Sequence, residues 1–203
     1  YQRNQALQRE IEGLEYLLDL PYLPAYRFEL ARVNRRSLSA WWQEITINKG
    51  EKDNIPAGAA VIFGEGVVGK VKTVYRNRST VELISSQGFR MAANFKNDSR
   101  PVTYQGSINA SLGEAWGRIE DVPSDIQSKA AQTKDLELVS SRLGGVFPAG
   151  LYIGKVGDLK PASDGLFYEG KVKLHPDLHA LTEVAVLIPI PGENPSTTGS
   201  SGQ

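Results

Sequence analysis

Apolar residues at the start of the chain recur at helical spacing. Leu7, Ile11, Leu14 and Leu18 are separated by four, three and four residues, the alternating seam of a coiled coil, and Asn4 falls on the same seam. Pro21 and Pro24 stop the pattern. Residues 1–20 are therefore predicted as a coiled-coil helix, the end of a longer one, whose seam would bury apolar area against a partner helix. The alternative is an amphipathic helix packed on its own domain. Pro21-Tyr-Leu-Pro24 reads as a linker.

From about residue 30 the period changes to two. Strands are predicted over 44–48, 67–75, 80–84, 136–139, 151–156, 168–174 and 183–188, with a weaker set at 90–95, 102–105 and 114–119. Gly, Pro, Asn and Asp turns separate them, and no long helical pattern intervenes, so a parallel α/β sheet is not expected. The fold class predicted is mainly β, with two small β-barrel or sandwich domains following the N-terminal coiled-coil helix. One internal echo bears on their layout. Ile55-Pro-Ala-Gly58 leads to Gly69-Lys-Val71, and Phe147-Pro-Ala-Gly150 leads to Gly154-Lys-Val156, the first copy being longer by seven residues. Two β-units with related turn-strand elements would produce it, as would coincidence in a chain rich in Gly and Val. The proposed layout is a discontinuous first barrel over 30–63 and 150–190, with a second barrel inserted at 64–149, and two sequential barrels as the alternative. Strand pairing between 44–48 and 184–188 would decide for the inserted arrangement. Residues 191–203 read as a disordered tail.

Composition narrows the function classes. The 203 residues carry 23 basic and 23 acidic side chains, so no overall field draws the chain to nucleic acid or anionic lipid. The absence of cysteine removes disulfides, thiol catalysis and thiolate metal sites. No apolar run reaches the roughly 18 residues of a membrane span. The chain starts at Tyr1 inside a helical pattern, which suggests a fragment with upstream residues removed.

The candidate chemistry is thin. Gly64-Glu-Gly-Val-Val-Gly-Lys70 satisfies both a dinucleotide and a phosphate-loop pattern, but strand sequence follows where each needs a helix, and Val71 stands where a magnesium-binding Ser or Thr belongs. No nucleotide or other cofactor is expected. Gly64 and Gly66 are read as turn residues, and Gly69 as a bulge or point of close backbone approach inside a strand. His175 and His179 are spaced for one helix face beside Asp177, yet no further ligand clusters with them, so no metal site is assigned. A hydrolytic double-barrel protein is the competing class. Its serine would be Ser140 or Ser141 and its base His175 or His179, an order that belongs to a different fold. No catalytic residue is assigned. Arg32, Arg35 and Arg36 near Trp41-Trp42 form a small basic cluster without a nucleic-acid-binding module around it.

The order of motifs is more specific than any one of them. Ala31-Arg-Val-Asn-Arg-Arg precedes Trp41-Trp42, Ile45-Thr-Ile-Asn-Lys-Gly50, Asp53-Asn-Ile-Pro-Ala-Gly58 and Gly66-Val-Val-Gly-Lys-Val71. Leu138-Val-Ser-Ser-Arg-Leu-Gly-Gly-Val-Phe-Pro-Ala-Gly150, Ile153-Gly-Lys-Val156 and Val184-Ala-Val-Leu-Ile188 follow. From the helix to residue 190 the chain resembles the rod shape-determining MreC family. The positions that carry the motif are Gly50, Gly58, Gly66, Gly69, Gly144, Gly145, Pro148, Gly150 and Gly154. It departs from the family pattern at Asn48, where Asp is usual, at Asn54 and Arg142, where Gly is usual, and at Ser140, where Thr is usual. Asn54 can adopt the left-handed backbone, whereas Arg142 would be strained if its position required it. The resemblance implies a non-catalytic scaffold of the bacterial cell-elongation machinery, held in the inner (cytoplasmic) membrane by a transmembrane helix upstream of Tyr1. This part would face the periplasmic or extracytoplasmic space. The implied partners are a class B penicillin-binding protein, RodA, MreD, MreB and further copies of itself, as a homodimer or filament.

Overall fold

The structure, a computed structural model, describes residues 20–38, 43–107, 115–126 and 136–192. The predicted coiled-coil seam at Leu7, Ile11, Leu14 and Leu18, the Trp41-Trp42 pair and the tail beyond Gly192 lie outside the described residues.

Among the described residues twelve strands carry the fold: β1 (Tyr26–Leu38), β2 (Gln43–Ile47), β3 (Ala60–Phe63), β4 (Gly66–Tyr75), β5 (Arg78–Leu83), β6 (Arg90–Phe95), β7 (Asp98–Gly106), β8 (Trp116–Val122), β9 (Leu136–Ser140), β10 (Tyr152–Pro161), β11 (Tyr168–Leu174) and β12 (Glu183–Pro189). Their pairings close two rings of six. Ring one runs β4-β3-β12-β1-β2-β5 and closes by β4–β5; ring two runs β11-β8-β7-β6-β9-β10 and closes by β11–β10. Closure leaves neither ring an open sheet edge of the kind that recruits other chains. Among the described residues one parallel bridge, Tyr152 opposite Gly66, joins the rings.

Ring one is assembled from both ends of the described chain, with ring two between. The joins are not where the motifs suggested. Residues 66–83, expected in the inserted unit, pair with β3 and β2 and so belong to ring one. Residues 152–174, expected in the first unit, pair with β9 and β8 and belong to ring two. The reason is local. The β3–β4 and β10–β11 connections are short hairpins, and a hairpin keeps its two strands in one ring. Nor does 184–188 pair directly with 44–48; β1 lies between β12 and β2 and bonds to both.

Alternation decides what is buried. On β2 the pattern is buried at Gln43, Ile45 and Ile47 and partly exposed between them, which turns the isoleucines inward with Val61, Val81, Leu83, Val184 and Val186. Ring two fills with Ala93, Phe95, Val102, Tyr104, Ile119, Leu138 and Val172. Full burial of each Val, Leu, Ile or Phe side chain among them is worth about 1.5–3 kcal/mol. The two interiors are one contiguous apolar cluster. Phe89 sits where they meet, edge-on to Tyr104 of ring two at 6.4 Å and to Phe147 at 6.1 Å, with the Lys70 ammonium of ring one 5.4 Å from its centroid.

Candidate interaction surface

The rings meet along a groove of about 480 Å³. One wall is the β3–β4 turn, Phe63 to Val68; the other is formed by Glu137 and Val139 of β9 with Tyr152 and Ile153 of β10. Leu178 and Leu181, from the segment that returns the chain from β11 to β12, complete the apolar lining. The stretch that mimics a phosphate loop is thus a groove wall. Gly64 takes φ 54° in the turn, the Glu65 carbonyl accepts the Tyr152 N–H (2.8 Å), and strand, not helix, follows. At the rim Lys96 pairs with Glu137 at 2.7 Å, and that hydrogen bond raises the Lys96 pKa. Among the described residues no group of three metal-ligating side chains converges.

The loop from Ser141 to Gly150 is held by its own polar groups. The Ser140 hydroxyl donates to the Pro148 carbonyl and accepts the Leu151 N–H (2.9 Å). Ser141 Oγ accepts the Leu143 N–H (3.3 Å) across a 3-10 turn. Phe147 is anchored on Phe89, while Leu143, 73% exposed, and Val146 stand outward. Both candidate serines are buried and committed to backbone. The histidines have other partners: His175 Nδ1 accepts the Asp177 N–H (3.2 Å), and His179 Nε2 lies 3.2 Å from Gln43 Oε1 and 3.3 Å from Ser85 Oγ. The geometry offers no serine–histidine pair at 140 or 141.

The remaining motif positions hold turns and crossings. Gly58 and Gly150, which close the two Pro-Ala-Gly turns, both take positive φ, 82° and 88°. Gly69 and Gly154 each face a backbone carbonyl of the next strand, Glu82 on β5 and Lys173 on β11, so closely that a Cβ would overlap it. The two glycines are alike in this, but the turns of the echo are not: the first Pro-Ala-Gly leads into β3, one strand before Gly69, and the second leads directly into β10, which carries Gly154. Gly50 backs onto the Tyr75–Arg78 hairpin, and the Asp53 carboxylate accepts its N–H (3.0 Å). Gly66 opens β4. Gly144 ends the 3-10 turn and Gly145 follows it at φ 68°. Asn54 is left-handed, φ 57°. Arg142 is not, because Gly145 takes that conformation in its loop. Asn48 Oδ1 accepts the Arg32 N–H (2.8 Å), a role the usual Asp would also fill.

Two features were missed by sequence reasoning. The β10–β11 hairpin tip presents Leu166, 73% exposed, beside the partly exposed Phe167, with Asp164 Oδ1 accepting both of their N–H groups (3.0 and 3.4 Å). The Asp-Gly pair at 164–165 carried a turn signal but not an apolar tip. The second is the Gln43–Ser85–His179 contact, whose members are 42 and 94 residues apart along the chain, beyond the reach of any local pattern.

Against known proteins, the family model described as "Rod shape-determining protein MreC, barrel core" matches residues 33–188. A cell shape-determining protein MreC from Listeria monocytogenes is 30% identical over 183 residues, 89% of this chain and 60% of the relative. A solved MreC structure from that species superposes with a TM-score of 0.68 at 26% identity, over 92% of this chain and 87% of the other. The structure of the major periplasmic domain of "the cell shape-determining filament MreC" has a TM-score of 0.65 at 20% identity, covering 84% of this chain and all of that one. A Helicobacter pylori complex between penicillin-binding protein PBP2 and MreC has a TM-score of 0.58 at 13% identity, covering 80% and 97%. The chain spans 50–63% of the length of the curated relatives it matches.

Proposed function

The chain belongs to the MreC family of rod shape-determining proteins, and from that premise we propose that it is a non-catalytic scaffold for peptidoglycan synthesis during cell elongation. It binds a class B penicillin-binding protein on its extracytoplasmic side, is anchored in the cytoplasmic membrane by a segment upstream of Tyr1, and works with RodA, MreD and MreB. Its copies associate through the seam at Leu7, Ile11, Leu14 and Leu18, and rings one and two act as its two domains. The observation that carries this reading is the family match over residues 33–188, which spans both rings and the groove between them. The PBP2 complex of the H. pylori relative supports the synthase partner, and the filament relative supports self-association. The Ser140 hydroxyl, spent on the Pro148 carbonyl and the Leu151 N–H, and the absence of a histidine beside either serine support a role without catalysis.

The test is replacement of the resident protein in a rod-shaped bacterium depleted of its own MreC, with this chain fused to that protein's membrane anchor. Rod shape should return, it should also return with Ser141→Ala, and the synthase should crosslink to the chain. Round cells at normal protein levels would reject the scaffold role, and loss of shape with Ser141→Ala alone would revive a hydrolytic one.

A further inference from the structure

Two segments connect the rings: residues 84–89, leaving ring one after β5, and residues 175–182, returning to it before β12. Their polar contacts converge on one histidine. Ser85, from the outgoing segment, donates to Gln43 Oε1 of β2. The His179 ring, from the returning segment, brings Nε2 to 3.2 Å from the same oxygen and 3.3 Å from Ser85 Oγ. An oxygen that already accepts the serine proton must accept from the imidazole too, so the neutral ring carries its proton on Nε2. Arg36 of β1 completes the clamp by donating to the carbonyls of His179 (2.9 Å) and Leu181. Gln43 and Ser85 are buried and His179 is half-buried. The clamped segment is also the one that carries Leu178 and Leu181 into the groove.

We propose that His179 is a pH-sensitive latch that ties both inter-ring segments to ring one and sets the geometry of the groove. An acid proton must enter at Nδ1 and create an imidazolium in a half-buried site facing the Arg36 guanidinium. Arg36 is the charged group that β1 presents. β2 presents neutral Gln43 and the outgoing segment neutral Ser85, while Glu82 is directed at Ser86 (3.4 Å) and Lys70 (4.0 Å). On its own segment His175 and Asp177 face each other at 3.7 Å. Burial, and then Arg36, push the His179 pKa below its ordinary value. A depressed histidine pKa means that the unfolded chain binds the proton more readily. The latch therefore contributes its full stability above about pH 6.5 and loses it as pH falls through the folded value. Protonation keeps the Nε2–H donor but places a charge in a half-buried site beside Arg36, and that cost drives the ring out to solvent, leaves Gln43 and Ser85 bonded to each other, and frees the returning segment to move with ring two. The latch is a property of the chain itself and does not depend on which partner uses the groove.

The chain has no cysteine and two histidines, so labels and titrations are clean. Spin labels at Lys52→Cys and Lys171→Cys, both exposed and attached to different rings, should report one inter-ring distance at about pH 7.5. That distance should shift or broaden by about pH 5, with the midpoint following the His179 proton resonance and not that of His175. His179→Gln, whose amide can still donate to Gln43, should keep the neutral-pH distance and remove the pH response; His175→Gln should leave the response intact. A wild-type distance that does not change with pH overturns the latch, as does a response that survives in His179→Gln or follows His175. The wild-type titration decides the matter even if a variant fails to fold.

Discussion

Gly69 and Gly154 occupy the same place in their rings, each with no room for a Cβ against the carbonyl of the neighbouring strand. Overlap with backbone cannot be relieved by a rotamer change, so the strands must part. Gly69→Ala and Gly154→Ala are each expected to lower stability by about 1–3 kcal/mol, the usual cost of overpacking, as a shift in the urea midpoint. Gly144→Ala is the matched control, because its added methyl would meet Ala92 at an ordinary 3.9 Å, and it should change the midpoint little. At this scale the sequence was legible where one residue type has one conformational use. A glycine inside a strand pattern announces a close approach, and an asparagine in a glycine position announces a left-handed turn, as Asn54 is. Arg142 shows the limit: which residue of a short loop takes the positive φ depends on how the whole loop closes, and here it is Gly145.

Among the elements, the turn between β2 and β3 depends on one carboxylate. Asp53 accepts the Gly50 N–H and pairs with Lys49 (3.2 Å), which also holds Glu29 of β1 (2.7 Å). The Gly50 N–H, followed by Lys49, holds the Asp53 carboxyl below its ordinary pKa. A depressed carboxylate stabilises the fold above its unfolded value, near pH 4, and that contribution is lost as pH falls through the lower folded value. Asp53→Ala should cost about 1 kcal/mol, the scale of a lost cap, in chemical denaturation at neutral pH. Asp53→Asn, which keeps an acceptor, should cost less and flatten the acid limb of the stability curve. Most strands were readable because their inward face alternates or their run is β-branched; 168–174 coincides with β11 and 90–95 with β6. The two that were not, β1 and β3, failed for physical reasons. β1 bonds to β12 through its first half and to β2 through its second, with a bulge between Val33 and Arg35 that breaks the alternation. β3 is a four-residue apolar run, Ala60 to Phe63, whose first three residues are all buried, so it has no period to detect. The groove was illegible as a whole, since its walls come from strands that meet only through ring closure.

For the molecule as a whole, the open question about two six-stranded rings is whether they behave as one folding unit. Among the described residues their strand pairings are separate apart from one bridge, which favours independence. Their apolar interiors are continuous, and Phe89, on the segment that leaves ring one, packs edge-on to Tyr104 and Phe147 of ring two with Lys70 of ring one over its ring, which favours coupling. The second effect should dominate, because aromatic burial at the junction is worth several kcal/mol while a domain's whole stability is about 5–15 kcal/mol. The three tryptophans can test this. Trp116 lies on β8 of ring two, while Trp41 and Trp42 fall in sequence between β1 and β2 of ring one. A Trp41→Phe, Trp42→Phe protein reports ring two by fluorescence, and Trp116→Phe reports ring one. Their urea midpoints should coincide. Phe147→Ala removes the ring that packs edge-on to Phe89, at an expected cost of about 3–5 kcal/mol. It should pull the two midpoints apart, because it loosens the seat of Phe89, the side chain that the ring-two aromatics share with Lys70 of ring one. Midpoints that already differ without that substitution would show that the rings fold independently and that the continuous core couples them only weakly.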